Sequence, residues 1–371
     1  MKKMLLCLLL ACQLLTASAC ETGYWPEREY THVPPVGEAP AEFVERLEAA
    51  RLSDACPVGE NFVSTHPNHI VWLDKHGVTL ADCSFAYDPT LYVQEKAITA
   101  TSDGGLIFTR NFSDRYQSET ERWASEDGIA SQVIKLDAAG NVQWLSELEG
   151  VEGLMLAQCI ETAEGYCFFG EQQTPETKRL GVGSPTDLTV LLLDKQGQMV
   201  SLTTFGGSDY DMFYRAEKVD GGYAIYAHVQ SNDGIFENTL EEGKVNASWK
   251  LTINEQFELV AMEKVPYEAL YGPEVLGYVD GQPVCVDDPR VLVNGAGTPQ
   301  QVIDYGDMYL IITRNITGVD ERTPAYVNMV YYRYETVYSA WQDGELLWRA
   351  VTGNHSDFDD LQLYWAPVSD D

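Results

Sequence analysis

The sequence predicts an all-β protein, and three observations carry that prediction. Short runs of β-branched, leucine and aromatic residues recur beyond about residue 60, as in Leu188–Leu193, Met199–Phe205, Met212–Val219 and Tyr223–Val229. Asp and Gly punctuate them, and these residues accept the positive-φ positions that hairpin turns need. Two kinds of turn then alternate along the chain at nearly constant spacing.

The first turn has the form Leu-Asp-x-x-Gly, at Leu73–Gly77, Leu136–Gly140 and Leu193–Gly197. Ile253-Asn254-Glu255-Gln256 is a decayed copy, and Trp341-Gln342-Asp343-Gly344 is one residue shorter. Its markers fall at 74, 137, 194, 254 and 343, in steps of 63, 57, 60 and 89. The second turn is Asp-Gly-Gly followed by an apolar residue, at Asp103–Leu106 and Asp220–Tyr223, with weaker versions at Glu164-Gly165 and Asp280-Gly281. A period near sixty made of two hairpins is one four-stranded antiparallel sheet per repeat. Such a sheet cannot bury both faces alone, so neighbours must stack, and radial stacking predicts a β-propeller.

Five blades are expected, with six as the alternative. The long step of 89 leaves residues 267–297 as either an irregular insertion or a degenerate blade. At the C-terminus, Gly353–Asp359 echoes Gly206–Asp211 and introduces a strand at Leu361–Trp365. That strand is expected to complete the N-terminal blade around Phe62–Phe85, closing the ring and removing exposed edges.

Upstream of the repeats, residues 1–19 read as a bacterial secretory leader: a basic start, an apolar run from Met4 to Leu15, and the small-residue exit Ala17-Ser18-Ala19 before Cys20. Two fates compete there. Ordinary cleavage would free a soluble, secreted protein; lipidation of the Cys20 thiol would anchor it to the membrane, and a cysteine directly after the exit favours lipidation. Residues 20–59 form a polar, Pro-rich tether with a helix over 41–52, whose Phe43, Leu47 and Ala50 share one face that packs on the domain. Residues 60–371 are the propeller domain.

Pairing Asp220-Gly221-Gly222-Tyr223 with Lys135-Leu136-Asp137-Ala138-Ala139-Gly140 and Trp144 resembles the β-propeller-repeat lipoproteins of bacteria, over roughly residues 90–265. The resemblance implies a fold and a surface location, and no particular activity.

Charge narrows the partners. With 24 basic and 57 acidic residues the chain carries −33, and loss of Lys2 and Lys3 with the leader takes it to −35 (22 − 57). Such a field repels phosphate backbones, so nucleic acid is excluded as a natural partner.

No chemistry announces itself by spacing. Asp209, Asp211, Asp357 and Asp359 place carboxylates on equivalent loops, where Ca²⁺ binding competes with simple capping of turn amides. The histidines lack zinc-site pairing, and no other cofactor is implied. Cys159 and Cys167 flank the Glu164-Gly165 turn, and either a cross-strand disulfide or two buried thiols fits; Cys56 and Cys83 are a second candidate pair, with Cys285 left over. Tyr331, Tyr334 and Trp341 belong to a dense aromatic stretch that either fills the inter-blade core or stacks a ligand. The sequons at Asn111 and Asn315 are set aside on the bacterial leader. The resulting expectation is a non-catalytic surface module presenting the loops Phe112–Ile129, Gln173–Thr186 and Asp233–Ala247 to a protein or glycan. The alternative is a glycosidase-like hydrolase using carboxylates in the central funnel.

Overall fold

The structure is a computed structural model. It describes residues 32–52, 55–59, 61–66, 69–85, 91–114, 129–149, 151, 153–173, 185–237, 239, 245–273, 275–280, 282–320, 322 and 331–357. Cys20, Asp359, Leu361–Trp365 and most of the first two long loops lie outside the described residues. The described chain falls into two compact units, one of residues 32–64, 73–78 and 275–357, the other of 65–72 and 79–273.

The molecule is all-β, and its described residues form five consecutive sheets. Sheet 1 holds β1 (Cys56–Val58), β2 (Asn61–His66), β3 (His69–Leu73) and β4 (Thr79–Ser84), with its strands shared between the two units. Sheet 2 holds β5 (Leu91–Ala100), β6 (Leu106–Asp114), β7 (Ile129–Leu136) and β8 (Val142–Glu149). Sheet 3 holds β9 (Leu154–Glu161), β10 (Gly165–Gln173), β11 (Thr186–Asp194) and β12 (Met199–Phe205). Sheet 4 holds β13 (Asp211–Val219), β14 (Gly222–Val229), β15 (Ala247–Asn254) and β16 (Leu259–Lys264). In sheets 1 to 4 each strand pairs with its sequence neighbour, the simplest antiparallel topology.

Sheet 5 has six strands: β17 (Val275–Val279), β18 (Gln282–Cys285), β19 (Thr298–Asp304), β20 (Tyr309–Val319), β21 (Tyr332–Gln342) and β22 (Glu345–Ser356), in the order β18-β17-β19-β20-β21-β22. The long step in the repeat is thereby explained. The β17–β18 hairpin joins the sheet through a two-residue parallel ladder, Gly277 to Val302 and Tyr278 to Ile303, so it extends the last sheet and is not a sixth one.

Two expectations at the N-terminal end need correction. Cys56–Val58, read as tether, is a strand: β1 supplies the fourth strand of sheet 1 from next door in sequence, pairing Val58 with Asn61 and Cys56 with Val63. The expected helix forms as α1 (Ala41–Ala49) and stops short of Leu52, because Arg51 takes φ +48 and breaks the helical ladder. Its buried residues are Val44 and Leu47, while Phe43 meets Tyr305 and Trp348 edge-on at 5.4 and 6.4 Å. Glu48 pins the helix to sheet 5. It accepts from Tyr338 Oη and Thr352 Oγ1, each at 2.6 Å, and its other oxygen lies 2.6 Å from His355 Nε2.

The Leu-Asp-x-x-Gly turns are copies in atomic detail. Asp74, Asp137 and Asp194 each turn one carboxylate oxygen onto the amides two and four residues ahead, at 2.8–2.9 Å, and Asn254 repeats the arrangement. Such Asx bonding holds the turn without help from its neighbours. Gly140 and Gly197 are also required by what lies above them. A methyl group on Gly140 would sit 2.0 Å from the Ala81 Cβ, and one on Gly197 would sit 2.5 Å from the Trp144 ring. In the decayed fourth copy Phe257 occupies the glycine position at φ +60. Its ring is buried and lies 6.1 Å from Tyr223. Relieving a left-handed residue gains about 1–2 kcal/mol, whereas deleting a buried aromatic ring costs about 3–5 kcal/mol. Phe257→Gly is therefore expected to destabilise despite its better backbone, as a lower urea midpoint at unchanged m value.

Sheet 3 shows how neighbours stack. Alternate residues of a strand face opposite ways, so β10 directs Tyr166 and Phe168 to one side and Cys167 and Phe169 to the other. The first pair joins Ile107, Val133, Leu154, Leu156, Leu191 and Leu193 in a core shared with sheet 2. The second joins Leu188, Val190, Phe213, Ile225, Leu251 and Ile253 in a core shared with sheet 4. Sheet 3 is thus buried on both faces along β10 and β11, while its last strand β12 keeps Met199 and Val200 exposed. First strands meet one another as well. Thr99 of β5 donates to the Cys159 carbonyl at 3.2 Å, and Gln158 of β9 exchanges two 2.8 Å bonds with the backbone of Ala216 in β13.

Candidate functional site

At one end of sheets 3 and 4 the chain gathers carboxylates. A bridge between Thr186 and Tyr210 sets the next residues, Asp187 and Asp211, beside each other, and Thr186 Oγ1 donates to the Asp211 carbonyl at 2.9 Å. Asp211 is fully buried. One of its oxygens accepts from the Gln230 and Ser231 amides at 3.2 and 3.1 Å; the other, Oδ2, is buried with no hydrogen-bond partner among the described residues. Asp187 Oδ1 is likewise buried and unpartnered, and the Gly206 backbone closes over it so tightly that a methyl group there would sit 1.8 Å away. Glu171, at the end of the apolar run of β10, accepts from the Phe213 amide at 2.7 Å and is only 5% exposed. Asp233 caps the neighbouring Gly207-Ser208 turn through the Ser208 amide at 2.7 Å.

Burial disfavours the charged form of a carboxyl, and like charges add to that. Desolvation, with only part relieved by the Phe213 amide and Lys96, pushes Glu171 up to about 7. Burial pushes Asp211 up to about 6, against the lowering pull of the Ser231 and Gln230 bonds. Asp187 is raised by burial and by the charge of Asp233. These acids hold protons more tightly than exposed ones. Asp211 and Glu171 are closed off by side chains and backbone, whereas Asp187 buries one oxygen and stays half-buried as a whole.

Asn111 and Glu171 are equivalent residues of two repeats. Asn111 reaches from β6 to β9, donating to the Leu156 carbonyl at 2.9 Å and accepting from its amide at 3.1 Å. Glu171 reaches from β10 to β13 in the same way. Asn111 is fully buried, which removes it as a glycan acceptor whatever its sequon.

The residues singled out in the sequence are not brought together. Asp209 accepts from the Tyr210 amide at 3.1 Å and so caps its own turn. Asp357 accepts from Arg314 Nη1 at 3.3 Å and from the Tyr332 amide at 3.0 Å, a structural pin in the other unit. Among the described residues no three His, Cys, Asp or Glu side chains converge to hold a metal, so the Ca²⁺ expectation at Asp209, Asp211 and Asp357 gains no ligand set. Of the two readings for the aromatic stretch, Tyr334 and Trp341 follow the core one. Tyr334 is 3% exposed, with the Arg314 guanidinium 3.9 Å above its ring and His355 stacked at 5.2 Å. Trp341 lies in the sheet 5 core and donates to Asn294 at 3.3 Å. Tyr331 is half-buried beside them in sequence.

Of the two readings left open for Cys159 and Cys167, the structure shows the buried thiols. Hairpin register pairs Glu161 with Tyr166, which sets Cys159 opposite Phe168 and Cys167 opposite Ile160. The two thiols therefore face opposite sides of sheet 3, one in each core, and all five described cysteines are free.

One aromatic group escaped the sequence reading. Tyr214, Tyr267 and Tyr271 pack edge to face at 5.3–6.2 Å, with hydroxyl contacts of 3.2 and 2.8 Å. Only tertiary packing brings Tyr214 of β13 to the segment after β16; the Tyr267–Tyr271 spacing was its one visible sign.

No family model matches the chain, and no curated protein does. Among solved structures it is similar to a protein of unknown function from Bacteroides caccae, at 10% identity over 80% of each chain with a TM-score of 0.34. A lignostilbene dioxygenase from Pseudomonas brassicacearum matches at 12% identity, over 78% of this chain and 68% of that one, with a TM-score of 0.36. A variant of the Synechocystis apocarotenoid oxygenase matches at 9% identity, over 92% and 80%, with a TM-score of 0.33. Similarity at this level carries no argument about chemistry.

Proposed function

We propose that the protein is an exported, lipid-anchored β-propeller of five sheets, related to the bacterial β-propeller-repeat lipoproteins, that serves as a non-catalytic binding scaffold for a protein or glycan at the cell surface. Several features support a ring. First strands of sheets 2, 3 and 4 bond to one another, and β10 and β11 of sheet 3 are covered on both faces. Within the first unit, the last sheet meets the first: Gln301 donates to the Ala55 carbonyl, Lys75 to the Asp304 carbonyl at 2.8 Å, and Tyr305 to the Lys75 carbonyl. Packing of this kind supports closure, and the strand expected at Leu361–Trp365 lies outside the described residues.

The observation that carries the binding reading is the burial of the acids best suited to catalysis. Glu171 and Asp211 hold protons near neutral pH, as a general acid must. At 5% and 0% exposure, bonded to backbone amides, they are out of reach of a glycosidic oxygen. Raised acids thus serve the packing of sheets 3 and 4. Cys20 after its small-residue exit supports the anchor, and the acidic surface favours partners without phosphate.

A glycan array and a pulldown from intact cells, run beside a glycosidase screen, test this reading. Saturable binding without turnover is expected. Turnover abolished by a single Asp or Glu substitution would overturn it in favour of a hydrolase. Mass analysis of the mature amino terminus is expected to show an acylated glyceryl group on Cys20; an unmodified cysteine or another first residue would refute the anchor.

A further inference from the structure

Where the last sheet meets the first, within one unit, lies a cleft of about 220 Å³. Its walls are apolar: Pro57 and Phe62 on one side, Val302, Ile303 and Tyr278 on the other. Tyr278 is 40% exposed, whereas Phe62, Val302 and Ile303 are buried. Gly277 lets β17 lie flat against β19, since a methyl group there would sit 1.9 Å from the Val302 carbonyl oxygen.

One charged amine stands at this cleft. Lys75 donates one N–H to the Asp304 carbonyl at 2.8 Å, and its ammonium lies 5.6 Å from the centre of the Tyr305 ring. Asp304 makes no salt bridge with it: its two carboxylate oxygens accept from the Gly306 and Asp280 amides at 2.7 and 2.9 Å, and the Lys75 charge acts on them only from beyond contact distance. The repeat supplies the comparison. Lys195 holds the same place in its Leu-Asp-x-x-Gly turn and is paired with Glu161 at 2.7 Å. Lys75 has no carboxylate within salt-bridge distance among the described residues. In a chain with 57 acidic residues and 24 basic ones, an ammonium whose direct hydrogen bond goes to a neutral carbonyl, with only the longer-range pull of the Asp304 carboxylate beside it, is out of pattern. An ammonium has three N–H donors, so two remain to meet an anionic group.

We propose that this cleft binds a small organic acid with an aromatic body, its carboxylate taken by Lys75 and its ring laid against Phe62 and Tyr278. Few polar groups fixing orientation within apolar walls is the usual build of a small-molecule site. The net charge of the protein opposes anions at long range, so specificity rests on Lys75 at contact distance, where salt screens least. The inference goes beyond the surface-binding reading and stands or falls separately from it.

Phenylacetate is the probe, titrated into the mature protein and followed by saturation-transfer NMR, with phenethyl alcohol as the uncharged ring of similar size. Phenylacetate is expected to bind saturably and more tightly than the alcohol. Lys75→Met should weaken it about tenfold or more, as loss of a charge-assisted hydrogen bond does. Lys75→Arg should retain most of the binding, and Tyr278→Ala should weaken acid and alcohol alike. Thermal midpoints of all variants check that the fold survives. Three outcomes would overturn the proposal: no saturable binding of phenylacetate, equal affinity in a folded Lys75→Met protein, or binding only of a peptide ending in phenylalanine, which would make the cleft a peptide site.

Discussion

Replacing Phe169 with alanine is expected to lower the unfolding free energy by about 3–5 kcal/mol, the cost of deleting a fully buried aromatic ring. Phe169 has no exposed surface and lies between sheets 3 and 4, nearly parallel to Phe213 at 6.5 Å and tilted against Tyr223 at 5.3 Å. Sheets 2, 3 and 4 share no single core, so each junction must supply its own burial. The cavity left at 169 would open one junction while Phe168, facing sheet 2, keeps the other closed. Hydrogen exchange should therefore rise in β10, β13 and β14 before it rises in β5 to β7. Val200→Ala serves as the control, since Val200 is 60% exposed on β12 and its loss should change stability by no more than about 0.5 kcal/mol.

Stability is expected to fall as pH rises from about 5 to 8. Asp211 and Glu171 hold their protons to about 6 and about 7 in the folded state, above ordinary carboxylates. Across the window between the unfolded and folded values the native state binds more protons than the unfolded one, so the unfolding free energy declines with pH. Each pH unit of separation is worth about 1.4 kcal/mol, which puts the loss on the order of 3 kcal/mol for each acid. Below that window the slope reverses. Asp103, hydrogen-bonded by Thr101 and Lys135, sits at about 2, and its contribution disappears as pH falls toward that value. Maximum stability should therefore lie in mildly acid solution. Asp211→Asn keeps an oxygen for the Gln230 and Ser231 amides and cannot ionise, so its thermal midpoint should vary less between pH 5 and 8 than that of the parent. An identical pH profile for parent and variant would remove Asp211 from the account.

Local chemistry was legible and tertiary chemistry was not. The strand runs at Leu188–Leu193, Met199–Phe205, Met212–Val219 and Tyr223–Val229 fall within β11 to β14 to within two residues at either end. Their turns are held by their own Asp side chains and needed nothing distant to be recognised. Asn254 kept that bonding when the glycine was lost, which is why the decayed copy could still be counted. By contrast, Cys56-Pro57-Val58 is three residues long and contains a proline, and nothing within it announces a strand. The choice between a disulfide and buried thiols at Cys159 and Cys167 turned on a single residue of register: positions eight apart share a face only if the turn between them has the right parity. Glu171 could have drawn notice as an acid ending the run Tyr166–Gly170. That its neighbour across the junction is the Phe213 amide depends on which sheet packs there. Lys75 and Lys195 look alike in sequence, and only their surroundings separate them.

The ring is tested most directly by distances between nitroxide labels on the outer strands. Leu80, Leu145, Val200, Val260 and Leu347 are exposed residues of β4, β8, β12, β16 and β22, one for each sheet. Introduced pairwise through a non-natural residue and read by double electron–electron resonance, labels at 80 and 347 should be as close as those on any two consecutive sheets. A distance between 80 and 347 that exceeds every other pair would mean an open stack of sheets, and the propeller would be wrong.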